Sequence, residues 1–208
     1  MDYKAPEKEQ EENTVGEPDL AGYYTASDYL KWTFEGLVEL IKGKIFKLSA
    51  PTSAHQIASR QLLKILITYF DKMPCQLFHA PYDVYLAKEG EDYRQVSNIV
   101  QPDICIICDR DKIKRFGCVG VPDLIIEILS PSSAKKGTDA KFLLYEEYGV
   151  KEYWIVHPME GTVLLNVLEN GAYRTLKPQA KGETVHSVLF PDLAVDLETV
   201  FDDIEFDD

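Results

Sequence analysis

The spacing of apolar positions divides the chain into a series of elements. From His55 to Phe70 (HQIASRQLLKILITYF), Ile57, Leu62, Ile65, Leu66 and Tyr69 recur at near-helical intervals and predict an amphipathic helix. Three strand-like segments follow, at 76–87 (QLFHAPYDVYLA), 99–108 (IVQPDICIIC) and 123–130 (DLIIEILS). The second and third are almost wholly apolar, as strands buried on both faces are. A second helix is expected from about Thr138 to Tyr148, stopped by Gly149. EYWIVHP, 152–158, reads as another strand, and VLLNVLENGAYRTL as a hairpin turning on Asn170-Gly171. Ahead of these, Thr25 or Ser27 caps a short helix to about Phe34, and LVELIKGKIFKLSA reads as two short strands about Lys42–Gly43. From 55 to 157 the order is therefore helix, three strands, helix, strand. It predicts an α/β (α+β) fold, a mixed β-sheet flanked by helices on both sides, with additional N-terminal and C-terminal β-hairpins.

Composition adds limits. The 208 residues are 45% hydrophobic and 27% charged, ordinary values for a chain able to bury its own core. Apolar density stays high from Tyr23 to about Phe201 with no internal repeat, so a single domain is expected over 21–201. Residues 1–20 read as a disordered acidic lead-in and 202–208 as an acidic tail. No apolar run approaches the ~18 residues of a membrane span. The N-terminus lacks the basic-then-apolar pattern of a secretory signal. A cytoplasmic protein is expected, with its four cysteines as free thiols. The net charge of −13 is confined to the ends: residues 1–20 carry −5 and 190–208 carry −8, leaving the middle neutral. Charge thus neither excludes nor encourages a polyanion partner, since DNA affinity rests largely on Lys and Arg at phosphates.

Two acids stand where burial should forbid them. Asp103 follows Pro102 and precedes ICIIC, and Glu127 lies inside LIIEILS. A carboxylate in an apolar strand is expensive unless paired, hydrogen-bonded or on a metal. By strand alternation Asp123, Ile125, Glu127 and Leu129 share a face, so Glu127 is far from a solvated end. Acids on adjacent strands make a hard-oxygen pocket suited to Mg²⁺, or Mn²⁺ in its place. The competing reading pairs Glu127 with a buried Arg or Lys. Lys141 shares a helix face with Leu144, Tyr145 and Tyr148, so it is placed either to reach such a pocket or to snorkel at its rim.

The stretch QPDICIICDR…GVPDLIIEILSPSSAKKGTDAKFLLYEEYGVKEYWIVHP, with DYLKW…LVELIKGKIFKLSAPTSAHQ upstream, resembles the Uma family of bacterial "putative restriction endonucleases", within the PD-(D/E)XK nuclease superfamily. The resemblance runs over roughly 25–200 and implies a restriction-endonuclease-like core of helix, three strands, helix and strand. It implies that Pro102-Asp103 is the PD element, with Asp103 the first metal ligand, Glu127 the second, and the backbone carbonyl of Ile128 a third. The superfamily's lysine two positions on is replaced here by Leu129, and Lys141 is the candidate for that role. Glu39, in VELIKGK, resembles an acid that joins the site. The implied activity is Mg²⁺-dependent hydrolysis of DNA phosphodiesters by a homodimer. The rival reading keeps the fold as a catalytically silent nucleic-acid or protein-binding module. A small-molecule phosphoesterase is a third.

Other residues invite roles that plainer readings cover. Cys105 and Cys108 point to opposite strand faces and cannot share a metal. Cys75 and Cys118 show no partner pattern. His55 fits a substrate or metal role, or more plainly a helix-end residue at a polar boundary, and Asp83 fits an approach to the pocket, or more plainly a partner of a neighbouring base or a strand-end acid. Asp123 opens its strand within reach of solvent, and Trp154 reads as core. Lys135, Lys136, Arg110, Lys112, Lys114 and Arg115 fit phosphate contacts or solvated loops equally. The acidic tail either keeps the chain soluble or shields a basic groove.

Overall fold

The computed structural model describes residues 19–33, 36–130 and 136–204, with residues 136–138 described by backbone alone. The expected lead-in, apart from residues 19 and 20, and the end of the tail, 205–208, lie outside these. In chain order the main elements are α1 (Ala26–Tyr29), β1 (Val38–Ile41), β2 (Lys44–Lys47), α2 (Ser53–Phe70), β3 (Gln76–His79) and β4 (Val84–Tyr85). Next come β5 (Ile99–Val100), β6 (Ile104–Ile107), β7 (Ile113–Lys114), β8 (Gly117–Val119), β9 (Leu124–Ile128) and α3 (Lys136–Tyr148). The chain continues through β10 (Glu152–His157), β11 (Thr162–Glu169), β12 (Ala172–Thr175), β13 (Gln179–Ala180), β14 (Thr184–His186), β15 (Ala194–Asp196) and α4 (Leu197–Phe201).

Local chemistry accounts for the boundaries. In α1, Asp28 Oδ2 accepts from the Thr25 backbone N–H at 2.9 Å and the Thr25 hydroxyl at 3.0 Å, closing one turn. That turn is shorter than expected, and Phe34 lies outside the described residues. The β1–β2 hairpin turns at Lys42 and Gly43, both at positive φ. α2 starts where Thr52 Oγ1 accepts the His55 N–H at 3.3 Å. α3 ends at Gly149, whose φ of 85° admits the left-handed cap. Asn170 and Gly171, both at positive φ, turn β11 into β12 as their sequence predicts.

Two sheets result. One runs β2-β1-β5-β4-β8-β7, the other β12-β11-β10-β9-β6-β3, with β13 on β11. In the second, β9 and β10 run parallel, joined by α3, and the other neighbours are antiparallel. Two expected strands are each divided between the sheets. Residues 76–87 become β3 and β4, and 99–108 become β5 and β6. Pro81 and Pro102 stand at the two crossings, where a residue without an N–H cannot continue a central ladder.

The second sheet is covered on both faces. Ala58, Leu62, Leu66 and Phe70 of α2 pack with Ile104, Ile126 and Trp154 on one face. Cys105, Ile125 and Tyr153 on the other pack with Leu144 and Tyr145 of α3 and with Val84 and Val100 of the first sheet. Glu127, two residues beyond Ile125, therefore belongs to the α3 face. Buried acids elsewhere are satisfied: Glu152 accepts the Trp154 indole N–H at 2.6 Å and the Val188 and Leu189 N–H groups at 2.9 and 2.7 Å.

The expectation of four free thiols is corrected. Cys75 and Cys108 are joined by a disulfide, while Cys105 and Cys118 are free and buried. Gln76 pairs with Ile107, so the residues one step beyond come opposite each other. Across 33 residues of sequence that register leaves no spacing signal. Cys105 and Cys108 do pack into opposite cores, as alternation requires. Asp123 is also corrected: it is buried and satisfied by the Cys108 N–H at 2.8 Å and Lys151 Nζ at 2.6 Å rather than by solvent.

Candidate active site at the junction of the two sheets

Gln101, Pro102 and Asp103 carry the chain from β5 in one sheet to β6 in the other. Ile104 pairs with Ile126, so one step back Asp103 stands across from Glu127. Asp103 is held from two sides: Oδ2 accepts the Ile128 N–H at 2.7 Å, and Oδ1 lies 3.1 Å from His55 Nε2 in the first turn of α2. Glu127 receives Lys141 Nζ at 2.9 Å and the Tyr145 hydroxyl at 2.6 Å, both on Oε1. Lys141 and Tyr145 are one helical turn apart, which is why one carboxylate meets both. Lys141 Nζ also lies 2.8 Å from Glu39 Oε1. Glu39, on β1 and 2% exposed, accepts the Gln101 N–H at 2.7 Å.

Glu39, Asp103, Glu127 and Lys141, four residues singled out by sequence, thus meet, and Ile128 borders the same cavity. The buried-cation partner weighed for Glu127 is present and is Lys141. It is no rim lysine, with its side chain only 12% exposed. Burial pushes the Glu127 carboxyl up, to about 7, against the opposing pull of Lys141, and Asp103 and Glu39 add to the rise. Burial alone would lower Lys141, but Glu127 and Glu39 outweigh it and hold the ammonium charged. Glu39 and Glu127 share one ammonium, with Asp103 held beside them by His55 and the Ile128 N–H, which leaves negative charge without full compensation in a buried place.

That deficit is the test for a metal. Among the described residues no group of three His, Cys, Asp or Glu side chains converges as a ready cage. Two carboxylates with a neighbouring carbonyl nevertheless fit Mg²⁺, which keeps several waters and takes one or two protein carboxylates. Asp103, Glu127 and the Ile128 carbonyl are the residues that could hold it.

The site opens into a cavity of about 690 Å³ bounded by His55, Gln101, Asp103, Glu127, Ile128 and Lys141 and, along α2, by Arg60, Leu63, Lys64 and Ile67. The sequence gives no role to two neighbours of the carboxylates, Tyr145 and Gln101, and favours the plainer of two readings for a third, His55. His55 reads as a helix end and is one, yet it also reaches Asp103. Tyr145 was visible as a face-mate of Lys141 without a role. Gln101 had only its place before Pro102-Asp103 as a signal. Asp83 does not border the cavity but accepts from Gln101 Nε2 at 2.8 Å and the Tyr29 hydroxyl at 3.0 Å. Burial raises its carboxyl. Trp154 is core, as expected. Arg110, Lys112, Lys114 and Arg115 do not border the cavity, Lys112 being bonded to the Val121 carbonyl. Lys135 and the Lys136 side chain lie outside the described residues.

Residues 26–198 match the Uma2 family, described as "Putative restriction endonuclease". The chain belongs to the Uma2 family. The matched span contains every strand and every residue of the carboxylate–lysine cluster, and it ends within α4. A crystal structure of "a putative nuclease belonging to DUF820" from Anabaena variabilis superposes with a TM-score of 0.68 at 19% identity, covering 86% of this chain and 97% of that one. The α+β architecture expected from the order of elements, and the restriction-endonuclease-like fold that the resemblance implies, are thereby borne out. An uncharacterized protein of Synechocystis sp. is 23% identical over 120 residues, 57% of this chain and 60% of its own length. The chain therefore spans less than two thirds of that curated relative. Among the described residues no helix is long and apolar enough to cross a membrane.

Proposed function

We propose that this Uma2 protein is a Mg²⁺-dependent nuclease that hydrolyses phosphodiester bonds of DNA. The observation that carries the reading is the pairing of Asp103 with Glu127 across β6 and β9, beside a buried lysine and open to a cavity. Asp103, Glu127 and the Ile128 carbonyl would hold the ion. When bound, the metal supplies Lewis-acid stabilisation of phosphoryl charge and a water of lowered pKa. The chain's own residues do the rest. The Ile128 N–H and His55 fix the Asp103 carboxylate in one orientation. Glu39 and Tyr145 fix the Lys141–Glu127 pair, so that the ammonium stays charged at the cavity wall. There it can stabilise negative charge developing on a non-bridging phosphate oxygen or orient an attacking water.

The test titrates Mn²⁺ by calorimetry into the wild type and into a variant carrying Asp103→Asn and Glu127→Gln, alongside a DNA-cleavage assay. Binding near one ion per chain, with cleavage, both abolished in the variant, is expected. A wild type that neither binds metal nor cuts overturns the reading. The rival binding-module reading rests on one observation: Lys141 already engages Glu127 Oε1, an arrangement a purely structural ion pair would also show. DNA bound but not cut above background, with Mn²⁺ present, supports the rival and overturns the nuclease reading.

A further inference from the structure

The cavity beside the carboxylates is walled largely by apolar side chains that remain exposed. Leu37, Leu48 and Ile67 are 50%, 38% and 46% exposed, and Leu63 and Pro51 stand with them. Exposed apolar groups scattered singly need no explanation, but several on one cavity do. The wall is continuous with the proposed catalytic cluster, since Leu63 and Ile67 lie on the same helix as His55.

The second observation is a fixed, unused acceptor. Gln101 is 7% exposed, and its Oε1 is buried without a hydrogen-bond partner. Its Nε2 donates to Asp83 Oδ1 at 2.8 Å and to the Tyr29 hydroxyl oxygen at 3.3 Å. Turning the amide over would set Oε1 against the Asp83 carboxylate, so the acceptor cannot exchange places with the donor. An unsatisfied buried acceptor on a cavity wall calls for an N–H or O–H donor from the occupant.

Charge argues against a duplex there. Duplex binding draws on many Lys and Arg contacts to phosphates. Of the described cations on this cavity, Lys141 is engaged by two glutamates and Arg60 faces Asp203 at 3.4 Å, which leaves Lys64. An unpaired base instead offers an apolar face to the leucines and amine donors to Gln101, and needs one or two phosphates at the metal end. The volume of about 690 Å³ lies within the roughly 300–1,000 Å³ that enclose a ligand of nucleotide size.

We propose that this cavity takes an unpaired nucleobase of single-stranded DNA, packed against Leu48, Leu63 and Ile67, while its phosphodiester reaches the Asp103–Glu127 pair. The proposal rests on the nuclease reading and narrows it to single strands, flaps or frayed ends. Packing of bases on side chains, tolerant of sequence, is the usual means of holding a single strand.

The experiment measures fluorescence anisotropy of a short labelled oligonucleotide, single-stranded and annealed to its complement, with Ca²⁺ in place of Mg²⁺ so that nothing is cut. The wild type is compared with a double variant, Leu48→Ser with Ile67→Ser, at exposed positions that the fold does not need. Mn²⁺ calorimetry on both proteins reads the metal site separately. Expected is a single strand bound about tenfold tighter than the duplex, a loss of about tenfold in the variant, and unchanged Mn²⁺ binding. Equal or tighter duplex binding overturns the proposal, as does a variant that binds the single strand like wild type. Should Mn²⁺ binding persist in either case, the nuclease reading stands and only the single-strand inference falls. Absence of both Mn²⁺ and DNA binding overturns the two together.

Discussion

Replacing Lys141 by Met tests the electrostatics of the site most directly. Methionine keeps the length and apolar stem of the side chain and removes the ammonium. Two glutamates, 2% and 8% exposed, then lose the cation that lies 2.8 and 2.9 Å from them. Breaking a buried pair by deleting one partner costs about 3–5 kcal/mol, because a buried charge is left behind. At roughly 2–4 °C per kcal/mol for a domain of this size, the melting temperature should fall by roughly 10 °C. Lys181→Met is the control: Lys181 lies 3.6 Å from Glu198, and the two side chains are 36% and 58% exposed. An exposed pair is worth about 0.2–1 kcal/mol, and Lys181→Met should therefore melt close to wild type. The assay is thermal unfolding followed by circular dichroism, without metal and with excess Mn²⁺. If a cation is what the carboxylates lack, Mn²⁺ should raise the melting temperature of the Lys141→Met variant more than that of wild type. The linked gain is about 2.7 kcal/mol at a hundredfold excess over Kd. A variant that melts with wild type, or Mn²⁺ that stabilises both equally, would refute the argument.

Four further outcomes follow from the structure. The Cys75–Cys108 bond closes a loop of 33 residues, worth about 4 kcal/mol by chain entropy, so Cys75→Ser should melt roughly 10 °C below the oxidised wild type and coincide with the reduced one. Glu127, raised above its ordinary 4.5 to about 7, binds a proton more tightly folded than unfolded. Its ionisation therefore costs stability as pH climbs between those values, and Glu127→Gln should remove that slope from denaturation measured against pH. Because Mn²⁺ must displace the same proton, its affinity should rise with pH up to about 7 and level off above it, which calorimetry in buffers of different ionisation enthalpy reads directly. Burial raises the thiol of Cys105 well up and that of Cys118 to about 12. Both should therefore resist iodoacetamide at pH 8 until denaturant is added, as mass spectrometry would show; labelling of the native protein would contradict their burial.

The elements legible in the sequence were those with long, one-sided patterns. α2, β9 and β10 show their burial in their composition, and the Asn170-Gly171 turn announces itself. The carboxylate pair was legible for the same reason: Asp103 and Glu127 are conspicuous against apolar neighbours. Periodicity could not show that 76–87 and 99–108 each feed two sheets. β5 and β6 are apolar on either side of their crossing, β3 and β4 show no common alternation, and only Pro81 and Pro102 mark the breaks. β7 and β8, at two and three residues, are too short to carry a pattern. The Cys75–Cys108 pair and the Gln101–Asp83–Tyr29 bonds depend on register between segments far apart in sequence, which composition does not encode.

The lysine shows how Glu127 meets an ammonium although the pattern of the superfamily that the sequence resembles would place it at position 129. A lysine at position 129 would stand two residues from Glu127 on the same face of β9. Here that position is Leu129, packed against the core that Ile125, Tyr145 and Ile155 form beneath α3. Because α3 crosses directly over this face, any position on its inner side near Glu127 meets the same carboxylate. Lys141 occupies such a position, and Tyr145, one turn on, closes over the same oxygen. The strand can then keep an apolar side chain where a charge would have needed its own route to solvent, and the helix supplies the ammonium from above. Glu39, reaching the same ammonium from the first sheet, ties the substitution to the packing of the two sheets. The position of the positive charge is thus set by which face of β9 carries Glu127 and by what covers that face. Its distance along the sequence from the acid is free to change.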